Sequence, residues 1–178
     1  SSLTETENTD IDIYTIKGTK PELPKTVSVD NAGEEIQALV VWPEVKADQY
    51  DSDKTEFTVE GKIYGTNLKA TATVHVYNGN VTIQDQKYTT MVGSVVTPET
   101  IIPAVYTDNG AQHHAVVEVK WDEVKEDMVS KAGTVTLDGT ILFNGQKVTA
   151  EIKVVKGPAI VAENDVIDKY DTMKLSVK

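Results

Sequence analysis

The chain has 178 residues, of which 28 are acidic, 17 are basic and none is cysteine, and its formal net charge at pH 7 is −11. This excess of negative charge repels polyphosphates, and no stripe of lysine or arginine interrupts it, so the composition excludes nucleic acid as a partner. Because disulfides are impossible, the fold must be stabilised by burial of apolar side chains alone.

The first ten residues are polar and acidic, and we expect them to form a linker or terminal segment. They lack the basic and then apolar layout of a signal peptide. No later run approaches the roughly 18 apolar residues that a membrane span needs, so membrane insertion is not expected.

Most of the following segments alternate between apolar and polar residues, which is typical of strands with one buried face. Residues 11–18 predict an opening strand, and residues 36–42, 57–63 and 70–77 predict three more. Residues 43–50 break the alternation and predict one helical turn or a loop that crosses between sheets, as residues 122–129 do later in the chain. Glycines separate the runs, and the following are predicted at turns or bulges with positive φ: Gly61, Gly65, Gly139 and the pair Asn144 and Gly145.

The second half of the chain repeats the first. Residues 42–48 (WPEVKAD) return 79 positions later as residues 121–127 (WDEVKED), and downstream the offset falls to 78. Residues 87–93 are then the opening strand of the second copy. Between the entry prolines and the tryptophans the copies diverge, which predicts a turn of different length or register.

Many short strands without supporting helices predict antiparallel sheets packed as a sandwich, and the repeat predicts two of them in series. We assign residues 1–10 to the linker, 11–79 to the first sandwich and 80–157 to the second. Residues 158–178 are assigned to a C-terminal extension or the start of a next module.

Five motifs follow each other in the first copy: Leu23-Pro24, a Val-x-Trp strand that ends at Trp42, a crossover that ends at Tyr50, and the two strands FTVEG and ATATVHV. In this order they resemble the bacterial immunoglobulin-like domain of group 4, over residues 11–77 and 87–155. The second copy departs from the pattern at its Ile102-Pro103 entry and at Val129, which replaces the crossover tyrosine. The resemblance implies an all-β protein of two tandem immunoglobulin-like antiparallel β-sandwiches in an elongated arrangement.

Domains of that family are accessory modules of large secreted or cell-surface bacterial proteins, especially glycoside hydrolases and adhesins. The resemblance therefore implies a monomeric, non-catalytic spacer at the bacterial cell surface or outside the cell, whose partners are flanking domains of the same polypeptide. The alternative is a module that binds a glycan or a host surface protein.

The aromatic residues could serve either function. Trp42 and Trp121 continue the apolar faces of their strands, so we expect them in the core rather than on a sugar platform. Tyr64 and Tyr77 are predicted on outward faces of adjacent strands, where they would stack on a sugar or pack across the strands.

Two apolar residues also face outward in the first copy. Leu39 and Val41 stand where the second copy has Glu118 and Lys120. They mark an interaction surface, or they pack against another domain or sheet.

No residue is assigned a catalytic, cofactor-binding or metal-binding role. The acidic loop at residues 48–56 offers oxygen ligands of the kind that calcium binds, but the second copy loses them, so a solvated turn is expected. His113 and His114 face opposite ways in an extended strand, which argues against a shared metal. The sequence carries no nucleophile elbow, no phosphate-binding glycine loop and no carboxylate pair predicted around a cleft.

Overall fold

The computed structural model describes residues 3–4 and 9–157. The predicted extension at residues 158–178 and most of the predicted linker at residues 1–10 lie outside the described residues. The described residues are nearly all β and form two six-stranded sheets. Within the described part, no helix is long and apolar enough to cross a membrane.

The first sheet has the strand order β1-β3-β4-β5-β6-β2, and all of its strands except β1, which lies in the predicted linker, come from the first copy of the repeat. These strands are β1 (Leu3–Thr4), β2 (Asp10–Ile16), β3 (Thr26–Asn31), β4 (Glu34–Val41), β5 (Glu56–Ile63) and β6 (Lys69–Tyr77). A single helical turn, α1 (Ala47–Tyr50), joins β4 to β5.

The second sheet draws its strands from the second copy, in the order β7-β9-β10-β11-β12-β8. These strands are β7 (Thr82–Ile83), β8 (Lys87–Met91), β9 (Ile101–Asp108), β10 (Ala111–Trp121), β11 (Gly133–Ile141) and β12 (Lys147–Val155). A turn of 3₁₀ helix at Glu126–Val129 takes the place of α1. The two predicted helical or crossover segments are therefore confirmed.

The chain also divides by its contacts into two compact units. The first unit contains the described residues up to Gln84, together with Glu99–Lys120 and Thr140–Val148. The second unit contains Asp85–Pro98, Trp121–Gly139 and the described residues from Thr149 onward. The division by repeat into residues 11–79 and 80–157 stays a prediction.

The core of the first unit follows the predicted alternation. Residues on one face of β5 and β6 are buried, and their neighbours in sequence are not. The buried side chains form two clusters. The first cluster contains Val45, Phe57, Val59, Ala72, Val74 and Val76. The second cluster contains Val27, Val29, Val40, Ile63 and Ala70. In the second unit the core contains Val129, Leu137, Ala150, Ile152 and Val154.

The prediction of purely antiparallel sheets is wrong at two strand pairs. Strand β2 pairs in parallel with β6, and β8 pairs in parallel with β12. Parallel neighbours need a long crossover connection. Here that connection is supplied by all the strands between the first and the last strand of a copy, so no dedicated helix is required.

The two copies differ at the β3–β4 and β9–β10 hairpins. Both turns have two residues with positive φ, Ala32 and Gly33 in the first copy and Asn109 and Gly110 in the second. The turn glycine precedes the tryptophan by nine positions in the first copy and by eleven in the second. The predicted change of register is confirmed, and β10 is accordingly longer than β4.

The crossover turns bind the turns that follow β2 and β8 in the same way in both copies. The backbone N–H of Gly18, at φ 89°, donates to the carbonyl of Tyr50 over 2.9 Å, and Gly93, at φ 90°, donates to Val129 over 2.9 Å. The bond uses only backbone atoms, so replacement of the tyrosine by the fully buried Val129 leaves it unchanged.

Candidate functional site

The two tryptophans lie against the core, as predicted. Trp42 packs on both core clusters of the first unit, and its Nε1 donates to the carbonyl of Pro24 over 2.8 Å. Trp121 packs on the core cluster of the second unit. Both residues are half-buried, so each contributes part of the roughly 2 to 3 kcal/mol that full burial of an indole gives. The indoles therefore stabilise the sheets rather than form a sugar platform.

Two glycines lie beneath these indoles, which corrects the prediction that they occupy turns or bulges. Gly61 is within β5 and Gly139 is within β11, and neither has positive φ. A β-carbon on Gly61 would come within 2.6 Å of Cε3 of Trp42, and one on Gly139 would overlap Trp121 in the same way. The predicted turns at Gly65 and Gly145 do have positive φ.

Five rings in the first unit contact one another, and they are here called the aromatic cluster: Tyr14, His75, Tyr77, Tyr106 and His113. Its first pair arises from the parallel register of β2 and β6, which places Tyr14 beside His75. The ring centroids of this pair are 4.7 Å apart and the planes differ by 15°.

Strand β6 also supplies Tyr77, and strands β9 and β10 supply Tyr106 and His113. Tyr106 and His113 are directly opposite each other in the antiparallel register. His113 also stacks on Tyr14, with centroids 3.9 Å apart, and Tyr106 stacks on Tyr77 at 4.4 Å. A tilted contact of 5.3 Å between Tyr106 and His113 makes the series continuous.

Polar contacts hold Tyr14 and His75 in place. The side-chain amide of Asn109 donates to the hydroxyl of Tyr14 over 2.8 Å. Nε2 of His75 lies 2.9 Å from Oδ1 of Asp12, and its Nδ1 lies 3.6 Å from Oε1 of Glu56. Only 17% of the His75 side chain is exposed, so the imidazole is held between two carboxylates and a tyrosine ring.

Tyr106 is the most buried ring, with 5% of its surface exposed. Burial raises the pKa of Tyr106 to about 12, and the negative charge of Asp108 and the neighbouring hydroxyls of Tyr77 and Tyr14 act in the same direction. The phenol therefore stays neutral well above pH 10.

A second group of contacts surrounds the segment Gly79 to Val81, here called the connector because it follows the last strand of the first copy. Gln146 binds Val81 twice, since Nε2 donates to the Val81 carbonyl and Oε1 accepts from its N–H, both over 2.8 Å. Asn144 donates to the carbonyl of Gly79 over 2.8 Å. The Val81 side chain is 6% exposed.

The aromatic cluster also touches the connector. The hydroxyl of Tyr77 donates to the carbonyl of Asn80 over 2.5 Å. A β-carbon on Gly79 would lie 2.6 Å from that hydroxyl, so the close approach requires glycine. The carbonyls of Gly79 and Asn80, and the N–H and carbonyl of Val81, are thereby all bound by side chains.

The amides that bind the connector are specific to the second copy. Asn144 and Gln146 lie in the β11–β12 turn, at positions that correspond to Thr66 and Leu68 in the first copy. Thr66 instead closes its own turn, donating to the carbonyl of Ile63 over 2.9 Å and accepting from the N–H of Leu68 over 3.0 Å. The turn is repeated, but the amide donors and acceptors are not.

The predicted pair Tyr64 and Tyr77 does not form a platform. In the antiparallel register Lys62, near Tyr64, faces Lys69, whereas Glu56 faces His75, near Tyr77. The two tyrosines therefore lie at opposite ends of the hairpin. Tyr64 is in a turn and 72% exposed, whereas Tyr77 belongs to the aromatic cluster.

The outward apolar residues of the first copy are exposed, and they lie beside the exposed tyrosine. Leu39 is 57% exposed and Val41 is 58% exposed, so neither packs against a second sheet. The N–H of Tyr64 donates to the carbonyl of Leu39 over 2.8 Å. Leu39, Val41 and Tyr64 together are called the apolar patch below.

The carboxylate oxygens of the acidic loop at residues 48–56 do not converge on one site. Asp53 points to Nζ of Lys17 at 3.4 Å, and Glu56 points to His75. His113 is partly buried in the aromatic cluster and His114 is exposed, so the two face opposite ways as predicted. Among the described residues, no group of three or more His, Asp or Glu side chains could hold a metal ion.

Sequence reasoning missed the aromatic cluster and the connector contacts. The alternation in β6 places His75 and Tyr77 on one outward face, but Tyr14, which stacks on His75, comes from the far end of the same copy, and Tyr106, which stacks on Tyr77, comes from the other copy. Comparison with models of protein families and with curated proteins finds no match. The resemblance to bacterial immunoglobulin-like domains of group 4 therefore stays a prediction.

Proposed function

We propose that the chain is a non-catalytic spacer of a large secreted or cell-surface bacterial protein, built from two tandem immunoglobulin-like sandwiches. Its role is to hold a functional domain of the same polypeptide, most simply a carbohydrate-active domain, at a fixed distance from its anchor. Flanking domains are its partners, and it acts as a monomer.

The observation that carries this proposal is the bound connector. A flexible tether between modules would leave its peptide groups to water, whereas here Gln146 and Asn144 bind the connector through three hydrogen bonds of 2.8 Å each. Burial of Val81 fixes the same segment through packing. A connector fixed in this way transmits orientation, which is what a spacer requires and a flexible linker does not provide.

The repeat supports the same proposal. The features that recur in both copies are the tryptophan and its glycine, the crossover turn and the parallel closing strand. All of these features are architectural. The polar groups that differ, such as the acidic loop, occur in only one copy. The features that both copies keep are those that determine the shape of the unit, so selection on the duplicated unit is best explained by its shape.

Small-angle scattering tests the proposal. The expected particle is elongated, with a longest dimension of roughly 70 to 80 Å for two sandwiches in series. The double variant Asn144→Ala and Gln146→Ala should broaden the distribution of interatomic distances. Thr66→Ala, at the corresponding turn of the first copy, is the matched control and should leave it unchanged. A compact particle, or a double variant that scatters like the natural chain, would refute the spacer.

The apolar patch favours one alternative, a module that binds a glycan or a host surface protein. The second copy has Glu118 and Leu142 at the positions of Leu39 and Tyr64, so the patch is not required by the fold. Affinity gels and glycan arrays decide between the functions. The spacer predicts no retention, whereas an adhesin predicts retention that is lost in Tyr64→Ala and preserved in the matched variant Leu142→Ala.

A further inference from the structure

One outward face of the second copy is apolar where the same face of the first copy is polar. In the first copy, Gln37 of β4 binds two residues of β3, since its Oε1 accepts from Thr26 over 3.0 Å and its Nε2 donates to Ser28 over 2.7 Å. In the second copy Val116 takes the place of Gln37, because both residues precede the repeated tryptophan by five positions. The hydrogen-bonded glutamine is therefore replaced by a side chain that cannot make these bonds.

The strand pairing shows what replaces the serine and the threonine. Pro103 lies opposite Val116 and Ile101 lies opposite Glu118, at the places that Ser28 and Thr26 hold on the first hairpin. All three polar residues have thus become apolar, and two of them are well exposed, Ile101 at 57% and Val116 at 59%. Because the first copy folds with polar residues at these places, the fold does not require an apolar surface here, and such a surface indicates binding.

Val116 borders two adjoining cavities of the first unit. The first has a volume of about 520 Å³ and is also lined by Ile101, Glu118 and Leu142. The second has a volume of about 490 Å³ and is also lined by Pro103 and other residues of β7, β9 and β10. Both volumes are in the range of ligand sites, and the two cavities together are called the β10 groove below.

One end of the β10 groove is negatively charged. The first cavity is bordered by the carboxylates of Glu118 and Asp51. The lysine on its border, Lys17, has its Nζ 3.4 Å from Oδ1 of Asp53, so its charge is already paired. This end of the groove is therefore suited to a cationic side chain, whereas the rest of the groove is suited to apolar ones.

The spacing along β10 determines the shape of the ligand. Alternate residues of a strand point to the same side and lie about 6.6 Å apart, so His114, Val116 and Glu118 follow one another along the groove over about 13 Å. An extended peptide has the same spacing between its own alternate side chains. A peptide lying along β10 would therefore place a basic side chain beside Glu118 and, two residues away, an apolar one beside Val116.

We propose that the β10 groove binds an extended peptide segment of a partner protein, in which a lysine or arginine is separated by one residue from a branched apolar side chain. The inference goes beyond the spacer proposal and does not depend on it, because scattering tests the shape of the particle and titration tests binding.

Titration with short peptides tests the proposal. The probes are SKTVTVS and its reverse SVTVTKS, blocked at both ends, which together cover both directions along β10. Matched peptides carry glutamate in place of lysine. Titration calorimetry at low ionic strength is suitable, because salt screens an exposed charge contact. At least one lysine peptide should bind, and its glutamate counterpart should bind several-fold more weakly.

Variants of the chain locate the site. The double variant Ile101→Thr and Val116→Gln restores the residues of the first copy and should weaken binding of the lysine peptide by roughly tenfold or more, since two apolar contacts are lost. Glu118→Gln should weaken it by roughly two- to fivefold, the effect of an exposed ion pair, and should remove the preference for lysine over glutamate. Leu39→Gln, at the position of Glu118 in the first copy, is the matched control and should change nothing.

Four outcomes would overturn the proposal. Neither lysine peptide binds, the glutamate peptides bind equally well, or the double variant binds like the natural chain while keeping its melting temperature. The fourth is retention of the chain on a glycan array that is lost in the same double variant, which would assign the groove to a glycan instead.

Discussion

The indole of Trp42 lies so close to the backbone of Gly61 that a β-carbon on the glycine would come within 2.6 Å of the ring. The same relationship recurs between Trp121 and Gly139. Each glycine is therefore required by the ring beside it and not by the conformation of its own backbone, because neither residue has positive φ. The glycine is therefore as much a part of the repeat as the tryptophan is.

Substitution of either glycine should destabilise the fold. Gly139→Ala forces the Trp121 ring away from its core contacts, and we expect a loss of about 1 to 3 kcal/mol in the free energy of unfolding. Urea unfolding followed by tryptophan fluorescence measures it. Thr140→Ala, one residue later, is the control. In a Trp121→Leu background the same glycine substitution should cost clearly less, and an undiminished cost would show that the ring is not the cause.

Removal of Tyr14 should weaken the aromatic cluster. Tyr14→Ala deletes the ring between His75 and His113 together with the hydrogen bond from Asn109, so we expect a loss of roughly 2 to 3 kcal/mol in the free energy of unfolding. Tyr64→Ala is the matched control, because that ring is 72% exposed and its loss should change stability by less than about 0.5 kcal/mol. Equal effects of the two variants in calorimetry would argue against the cluster.

Tyr106 should make stability fall in alkaline solution. Its pKa is about 12 in the folded chain and near 10 when the chain unfolds, so the folded state holds the proton more tightly. The stabilisation is fully present below pH 10 and is lost as pH rises from 10 to 12, with a total of roughly 2 to 3 kcal/mol. Urea unfolding at a series of pH values should show a shallower decline for Tyr106→Phe than for Tyr64→Phe. Parallel declines would contradict the assignment.

Calcium should not stabilise the chain. The carboxylates of the acidic loop point in different directions, Asp53 to Lys17 and Glu56 to His75, and so do not offer a shared set of oxygens. The melting temperature measured in millimolar calcium chloride should equal that measured in chelator. A rise in the melting temperature that disappears in Asp53→Asn would reveal a site at this loop.

The sequence predicts the parts of the fold that depend on local alternation. The buried face of β6, from Ala70 to Val76, follows directly from its period of two, and the tryptophans continue the apolar face of their strands. Glycine is more ambiguous, since the absence of a side chain at Gly61 serves a turn or a close ring equally well. Only the position of Trp42 in space distinguishes the two.

Contacts between distant segments are the part that local patterns cannot predict. Tyr14 and His113 are far apart in the chain and belong to different copies, so neither copy alone indicates their stacking. Gln146 is likewise an ordinary turn residue until the backbone of Val81 is placed beside it. The parallel pairs were missed for the same reason, because β2 and β6 are separated by the whole first copy.

The hairpin turns of the two copies have a practical consequence. Pro24 and Trp42 are separated by the same number of residues as Pro103 and Trp121, although the turn between them lies at a different point. The position of the turn can thus change while the proline and the tryptophan at the base of the hairpin keep their spacing. We expect the exposed tip at Ala32 and Gly33 to accept a grafted foreign peptide, which would make the protein a display scaffold for epitopes or affinity tags.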